Sequence, residues 1–212
     1  MLLREIHHRV KNSLGIIASL VRLQTKYAKD DYHSRMFREV HDRIRSIALA
    51  HEQLYKSKNL AEVRADEYVS SLVDHLNLSV GSIGTGIEIR KKIEGISVGL
   101  DAAVPLGFIV NELVSNCLRH AFSAVRQGYV DISFRSTKER EYELLVSDDG
   151  VGLPDGINVH DPPSFGLSLV KIFAEQLGGK VEWSTDGGTE CRLIFTTKPN
   201  PEGTNSWDHH ES

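Results

Sequence analysis

Cysteine is almost missing from this chain: Cys117 and Cys191 are the whole complement in 212 residues. They stand far apart and without metal-ligand spacing, so the sequence reads as carrying buried free thiols in a reducing cytoplasm. No apolar run approaches the roughly 20 residues that a bilayer span requires, which excludes a transmembrane helix. Among the first ten residues stand Arg4, His7, His8 and Arg9, leaving no apolar core for a secretory signal. The expected location is cytoplasmic. A charge of one sign is lacking too, with 25 Lys+Arg against 29 Asp+Glu and a formal net charge of −4. That balance supplies no field to recruit nucleic acid or an anionic membrane. Basic tracts interleaved with aromatics are absent as well, and there is no internal repeat. What is present, 40% apolar and 25% charged residues, is ordinary for a soluble protein with a core. Of the ten histidines, His209 and His210 fall in a polar tail, and the rest show no metal-ligand spacing.

Two amphipathic patterns open the chain. Leu3, Ile6, Val10, Leu14, Ile17 and Val21 recur at steps of three and four, which predicts a helix over 2–29. "KDDYHS" interrupts it with turn and capping chemistry, and Met36, Val40, Ile44, Ile47, His51 and Leu54 form a second stripe. A helical hairpin over 1–58 follows. It cannot close a core alone, so it is expected to pair with a second copy as a four-helix bundle or to pack on the rest of the chain. From about residue 64 helices and strands alternate: "ADEYVSSLVDHLNLSV" and "AVPLGFIVNELVSNCLRHAF" as helices, "GIEIRKKIE", "YVDISFRS" and "YELLVSDD" as strands, then the helix "GLSLVKIFAEQLGG" and the strands "KVEWST" and "ECRLIFTT". This irregular alternation fits an α/β sandwich over 64–197, with a mixed sheet and one helical layer. The tail 198–212, rich in proline and polar residues, is expected to be disordered.

Three short elements carry chemistry. Asn111-Glu112-Leu-Val-Ser-Asn116-Cys-Leu-Arg119-His120 lies on the buried helix, where Glu112, Asn116 and His120 are four apart on one face, with Arg119 beside them. Burying such groups is costly without a polar ligand, and an amide with a carboxylate suits Mg²⁺ and its substrate phosphates. The segment Asp148-Asp149-Gly150-Val151-Gly152 presents a carboxylate at a strand end, followed by glycines around which backbone can turn closely. Gly166-Leu167-Ser168-Leu169 opens a helix whose free N–H groups can meet phosphate oxygens.

In this order and spacing the three elements resemble the N, G1 and G2 boxes of the ATP-binding (GHKL, or Bergerat) fold shared by sensor histidine kinases, DNA gyrase, Hsp90 and MutL. "GGTECRLIF", with Thr189, resembles its last glycine-threonine element. The resemblance implies that Asn116 ligates the Mg²⁺ of MgATP and that Glu112 orients a water or the nucleophile. It implies that Asp148 accepts the adenine amino group, with Gly150 and Gly152 shaping the pocket. Residues 153–165 would be the lid, Gly166, Leu167 and Ser168 would meet the phosphates, and Arg119 and His120 would line the phosphate and nucleoside side. A second glycine is common in that family where Ser168 stands; serine is small enough to fit.

"EIHHRVKN" followed by "SLGIIASLVRLQ", together with "RIRSIALAHEQLYKS", resembles sensor histidine kinases whose phosphoacceptor helix carries His-Arg-x-Lys-Asn. The Trp-x-Glu of the sibling HWE subclass is absent before the second box. Helical phase separates the tandem histidines: His7 lies about 60° from the apolar stripe and His8 about 160°. His8 is therefore read as the exposed nucleophile, the position at which the family's motif also places its phosphoacceptor. Glu5 and Asn12 are on its face and could orient the ring, since Arg9 replaces the acid often found directly after the histidine. The implied activity is histidine autophosphorylation from MgATP and transfer to an aspartate of a response-regulator receiver domain. The expected assembly is a homodimer through the hairpin, with the sensor module lying outside this chain and a hinge near 56–65. Two alternatives use the same elements: a serine kinase of the anti-sigma-factor type, and a non-catalytic phosphotransfer scaffold.

Overall fold

Asp30 decides where the second helix begins. Its Oδ1 accepts the backbone N–H of His33 at 2.8 Å, and its carbonyl accepts that of Ser34 at 3.1 Å. The computed structural model describes residues 2–56, 62–80, 86–122, 127–153 and 165–197, without the side chains of 2–8, 11, 50, 51, 53–56 and 80. Helix α1 covers Leu2–Thr25 and α2 covers Asp31–Lys56, packed side by side as the expected hairpin. α1 stops before residue 29 because Lys26 and Tyr27 bond back three residues and tighten the last turn.

The apolar stripe of α1 is split in space. Val10, Leu14, Ala18 and Val21 are covered to various degrees, whereas Ile17 is 46% exposed. With Ile16, Leu20 and Leu23 it leaves a second apolar surface on the outside of the hairpin. α2 is covered on two sides, along α1 and against α3 (Ala65–Val80) and α4 (Leu100–Asn116). The second contact buries Asp42, Ser46 and Leu49. Tyr68 of α3, fully buried, reaches past Gly107 of α4 to donate its hydroxyl to the Ser46 carbonyl at 3.1 Å. A Cβ on Gly107 would overlap that hydroxyl, so the glycine is what lets the tyrosine reach α2.

Among the described residues the main sheet has five strands: β2 (Ile87–Ile93), β4 (Gly128–Lys138), β5 (Glu141–Asp148), β6 (Lys180–Ser184) and β7 (Thr189–Thr196), in the order β2-β4-β5-β7-β6. Only β2 and β4 run parallel, so the sheet is mixed as expected. Inward residues such as Val130, Ile132, Phe134, Leu144, Leu193 and Phe195 form the core with α3, α4 and α5 (Phe165–Gln176). One pairing has no counterpart in the sequence pattern: β1 (Glu62–Arg64) lies antiparallel to β3 (Ser97–Gly99). Strands of three residues are too short to show an alternation. Residues 57–61 of the hinge expected near 56–65, residues 154–164 of the expected lid (153–165) and the expected tail 198–212 lie outside the described residues.

Candidate functional site

The buried helix α4 carries the polar groups of the site on two consecutive turns. Asn111, Glu112 and Ser115 are buried and Asn116 is half-buried. At Cys117–Ala121 the helix widens into a π-helical turn, a distortion often found where side chains are re-aimed at a functional site. Its last carbonyl, that of Ala121, accepts the Val151 N–H at 2.9 Å and ties the glycine-bearing loop to the helix. Gly150 lies so close to Ala121 that any Cβ would collide with that backbone.

Between this helix and strands β5, β6 and β7 lies a cavity of about 300 Å³, lined by Leu113, Asn116, Cys117, His120, Ala121, Val146, Asp148, Gly152, Leu153, Leu167, Trp183, Thr189 and Cys191. The carboxylate in this apolar wall is held from behind: Asp148 Oδ1 accepts the Gly150 N–H at 3.0 Å and the Thr189 N–H at 3.3 Å. One oxygen is thereby fixed by backbone, and the carboxylate also bonds to the Cys117 thiol. Both thiols are buried in the same wall. Burial and then the Asp148 charge push the Cys117 thiol up, and burial does the same for Cys191, so both are protonated packing groups.

Glu112 points to a different neighbour. Its carboxylate accepts two hydrogen bonds from Arg43 of α2, Nε to Oε1 at 2.6 Å and Nη2 to Oε2 at 3.1 Å. The pair is largely desolvated, with side-chain exposures of 12% for Arg43 and 7% for Glu112. Asn111 Nδ2 adds a bond to Oε1 at 3.3 Å, and the Arg43 guanidinium lies 5.0 Å from the Phe165 ring. Gly166 abuts Glu112 Oε2, and a Cβ there would come within 2.6 Å of it. Arg43 therefore joins the hairpin, the buried helix and the first turn of α5. Arg119 also turns toward the hairpin, with Nη1 3.2 Å from Glu39 Oε1 and Nη2 3.7 Å from Asp42 Oδ2. A groove of about 1140 Å³ runs along this junction, lined among others by Arg35, Arg38, Arg43, Arg119 and His120. His120 borders both spaces. Burial, then the Arg119 charge, lowers its pKa from the usual imidazole value and favours the neutral ring.

Residues 5–80 match the family model described as histidine kinase, and residues 101–201 match that of the histidine kinase-, DNA gyrase B- and HSP90-like ATPases. The chain belongs to the histidine kinase family. It is 34% identical over 195 residues to the sensor histidine kinase PdtaS of Mycolicibacterium smegmatis, covering 90% of this chain and 38% of that protein. It is 28% identical over 193 residues to blue-light-activated histidine kinase 2 of Erythrobacter litoralis, covering 88% of this chain and 54% of that one. Among solved structures, the histidine kinase domain of the Erythrobacter litoralis EL346 blue-light activated histidine kinase has the same fold, with a TM-score of 0.70 at 23% identity over 91% of this chain and 92% of that one. The chain thus spans about half or less of the length of these full-length relatives.

Within this histidine kinase chain, the cavity gathers Asn116, His120, Asp148, Gly152, Leu167 and Thr189, with Gly150 bonded behind Asp148. Gly166 and half-buried Ser168 lie in the first turn of α5, the glycine against Glu112. Glu112 and Arg119 are instead engaged with α2. Asn12 is exposed on α1, beside the outer apolar surface with Ile16, Leu20 and Leu23. Glu5 and His8 lie on the first turns of α1, and their side chains are outside the described residues. Sequence reading missed Arg43 and Glu39, because a cation and an acid on a solvated-looking helix carry no signal without their partners. It also missed Trp183, which reads as an ordinary strand aromatic.

Proposed function

We propose that this chain is the catalytic portion of a two-component sensor kinase: it transfers the γ-phosphoryl group of ATP to His8 and then to an aspartate on a response-regulator receiver domain. The observation that carries the reading is the buried Asp148, fixed by the Gly150 and Thr189 N–H groups in an apolar cavity that Asn116 also lines. A carboxylate in an apolar slot suits the amino edge of a flat heterocycle, and adenine fulfils both demands. Asn116 offers a hard amide oxygen at the cavity wall, which fits a Mg²⁺ completed by waters and substrate phosphates. When bound, that ion would supply neutralisation of phosphate charge. A neutral His8 ring nitrogen attacks the γ-phosphorus, the bond to the β–γ bridging oxygen breaks, and ADP leaves. Glu5 and Asn12, one turn to either side on the same helix, would orient the ring, and the Glu5 carboxylate would receive its proton. The basic groove beside His120 would shield the phosphates, and the outer face of α1, with Ile16, Leu20 and Leu23, would be covered by a second copy.

Incubation with γ-labelled ATP and Mg²⁺ tests the reading. The expected label is acid-labile and base-stable, as for a P–N bond. An acid-stable label would point to a serine kinase, and a chain that takes phosphate only from a receiver would be a transfer scaffold.

In the arrangement described, Glu112 is held by Arg43 and cannot also serve a nucleophile, so turnover requires the hairpin to move off α4. Arg43→Gln leaves Glu112 buried and unpaired only while the hairpin is docked, a penalty of about 3–5 kcal/mol. The docked form should weaken and the initial labelling rate should rise several-fold. A fall to near background would instead assign Arg43 to placing Glu112 for the reaction.

A further inference from the structure

The histidines outside the tail show no metal-ligand spacing in sequence, yet folding brings two of them to one buried carboxylate. His41 and Asp42 come from α2 and His75 from α3, and one ligand atom of each lies within 4.8 Å of the others. His41 Nδ1 is 3.2 Å from Asp42 Oδ1, and His75 Nε2 is 3.8 Å from the same oxygen. Donors around a tetrahedral Zn²⁺ at about 2.0–2.1 Å stand about 3.3 Å apart, so the two contacts to Asp42 need only a small closure, while the two imidazole nitrogens, within 4.8 Å of each other, would have to draw together around the ion. The Asp42 side chain is 2% exposed, and the buried Nε2 of His75 has no hydrogen-bond partner. An imidazole nitrogen buried without a partner is costly, and a metal would relieve that cost.

The surroundings suit a ligand set as well. Arg119 Nη2 lies 3.7 Å from Asp42 Oδ2, while Oδ1 is the oxygen that faces both imidazoles. Ser79 donates its hydroxyl to both carboxylate oxygens at 3.3 Å, the kind of outer contact that orients a ligating carboxylate. Two imidazoles and one carboxylate select a borderline transition ion over Mg²⁺, which prefers oxygen donors throughout. We infer that His41, Asp42 and His75 form a binding site for Zn²⁺ or a similar divalent transition ion, with water as the fourth ligand. The site is separate from the nucleotide cavity and would clamp the helical hairpin to the α/β domain. If the proposed reaction holds, the clamp also opposes the hairpin movement that turnover requires.

Titration of the full chain with Co²⁺ alone tests the site without using activity. One equivalent is expected to give the intense visible bands of a tetrahedral N/O site, discharged by Zn²⁺. His75→Ala should abolish the bands and weaken Zn²⁺ binding more than about tenfold. His41→Ala should do the same and decides the matter if His75→Ala fails to fold. A chain with His209 and His210 replaced should keep the bands. Bands that survive in His41→Ala or in His75→Ala, or only the weak octahedral spectrum of scattered surface histidines in the wild type, would overturn the inference. ATP binding retained by the two alanine variants shows that they are folded, and failure of the kinase reading would leave the Co²⁺ result unchanged.

Discussion

His8→Gln is expected to lose the acid-labile label to background while binding ATP as the wild type does, and His7→Gln is expected to keep most of it. The distinction rests on the packing of α1. Its covered seam runs through Val10, Leu14, Ala18 and Val21. Carried back at about 100° per residue, position 7 falls within about 30° of the seam centre and position 8 about 125° away. A nucleophile must meet a phosphorus brought from outside the hairpin, so the position off the seam is the one able to react. Glutamine keeps the helix and the polarity but has no basic ring nitrogen, so the variant separates chemistry from folding. The measurement is label retained after alkali and lost after acid, alongside calorimetric ATP binding. A labelled His8→Gln with an unlabelled His7→Gln would reverse the assignment.

Asp148→Asn is expected to weaken ATP and ADP binding by about tenfold to somewhat over a hundredfold, the equivalent of losing a charge-assisted bond of about 1.5–3 kcal/mol. The asparagine oxygen can still accept the N–H groups of Gly150 and Thr189, which now hold Asp148 Oδ1 at 3.0 and 3.3 Å. Its NH₂ then stands where Oδ2 was and meets the adenine amino group donor to donor. Because the site is buried, neither donor regains water. Calorimetry with each nucleotide reads the effect directly, and affinities unchanged within about twofold would remove Asp148 from the adenine site. Thermal melting of the apo chain should move little, since the backbone bonds survive.

The fold class and most element boundaries were legible in the sequence, because each depends on a local period: steps of three and four in α1 and α2, alternation in β4, β5 and β7. Asn116, Asp148, Gly152, Leu167 and Thr189, which line one cavity, were legible as candidates because their short motifs stand at element ends, where backbone must turn or open. The two faces of α2 were less legible. Asp42 and Ser46 look like solvent residues, and they are buried only because Ser79, Tyr68 and Arg119 come to meet them.

By itself the sequence determined that a helical hairpin precedes an α/β domain with a mixed sheet and that no helix among the described residues is long and apolar enough to cross a membrane. Both follow from residue spacing along one chain segment. Only the tertiary structure decided that Glu112 is paired with Arg43, 69 positions away, and that His41, Asp42 and His75 converge. Charged and imidazole side chains have no period that announces a distant partner. Their pairing depends on the burial of whole helices, whose docking removes the water that each group would otherwise keep.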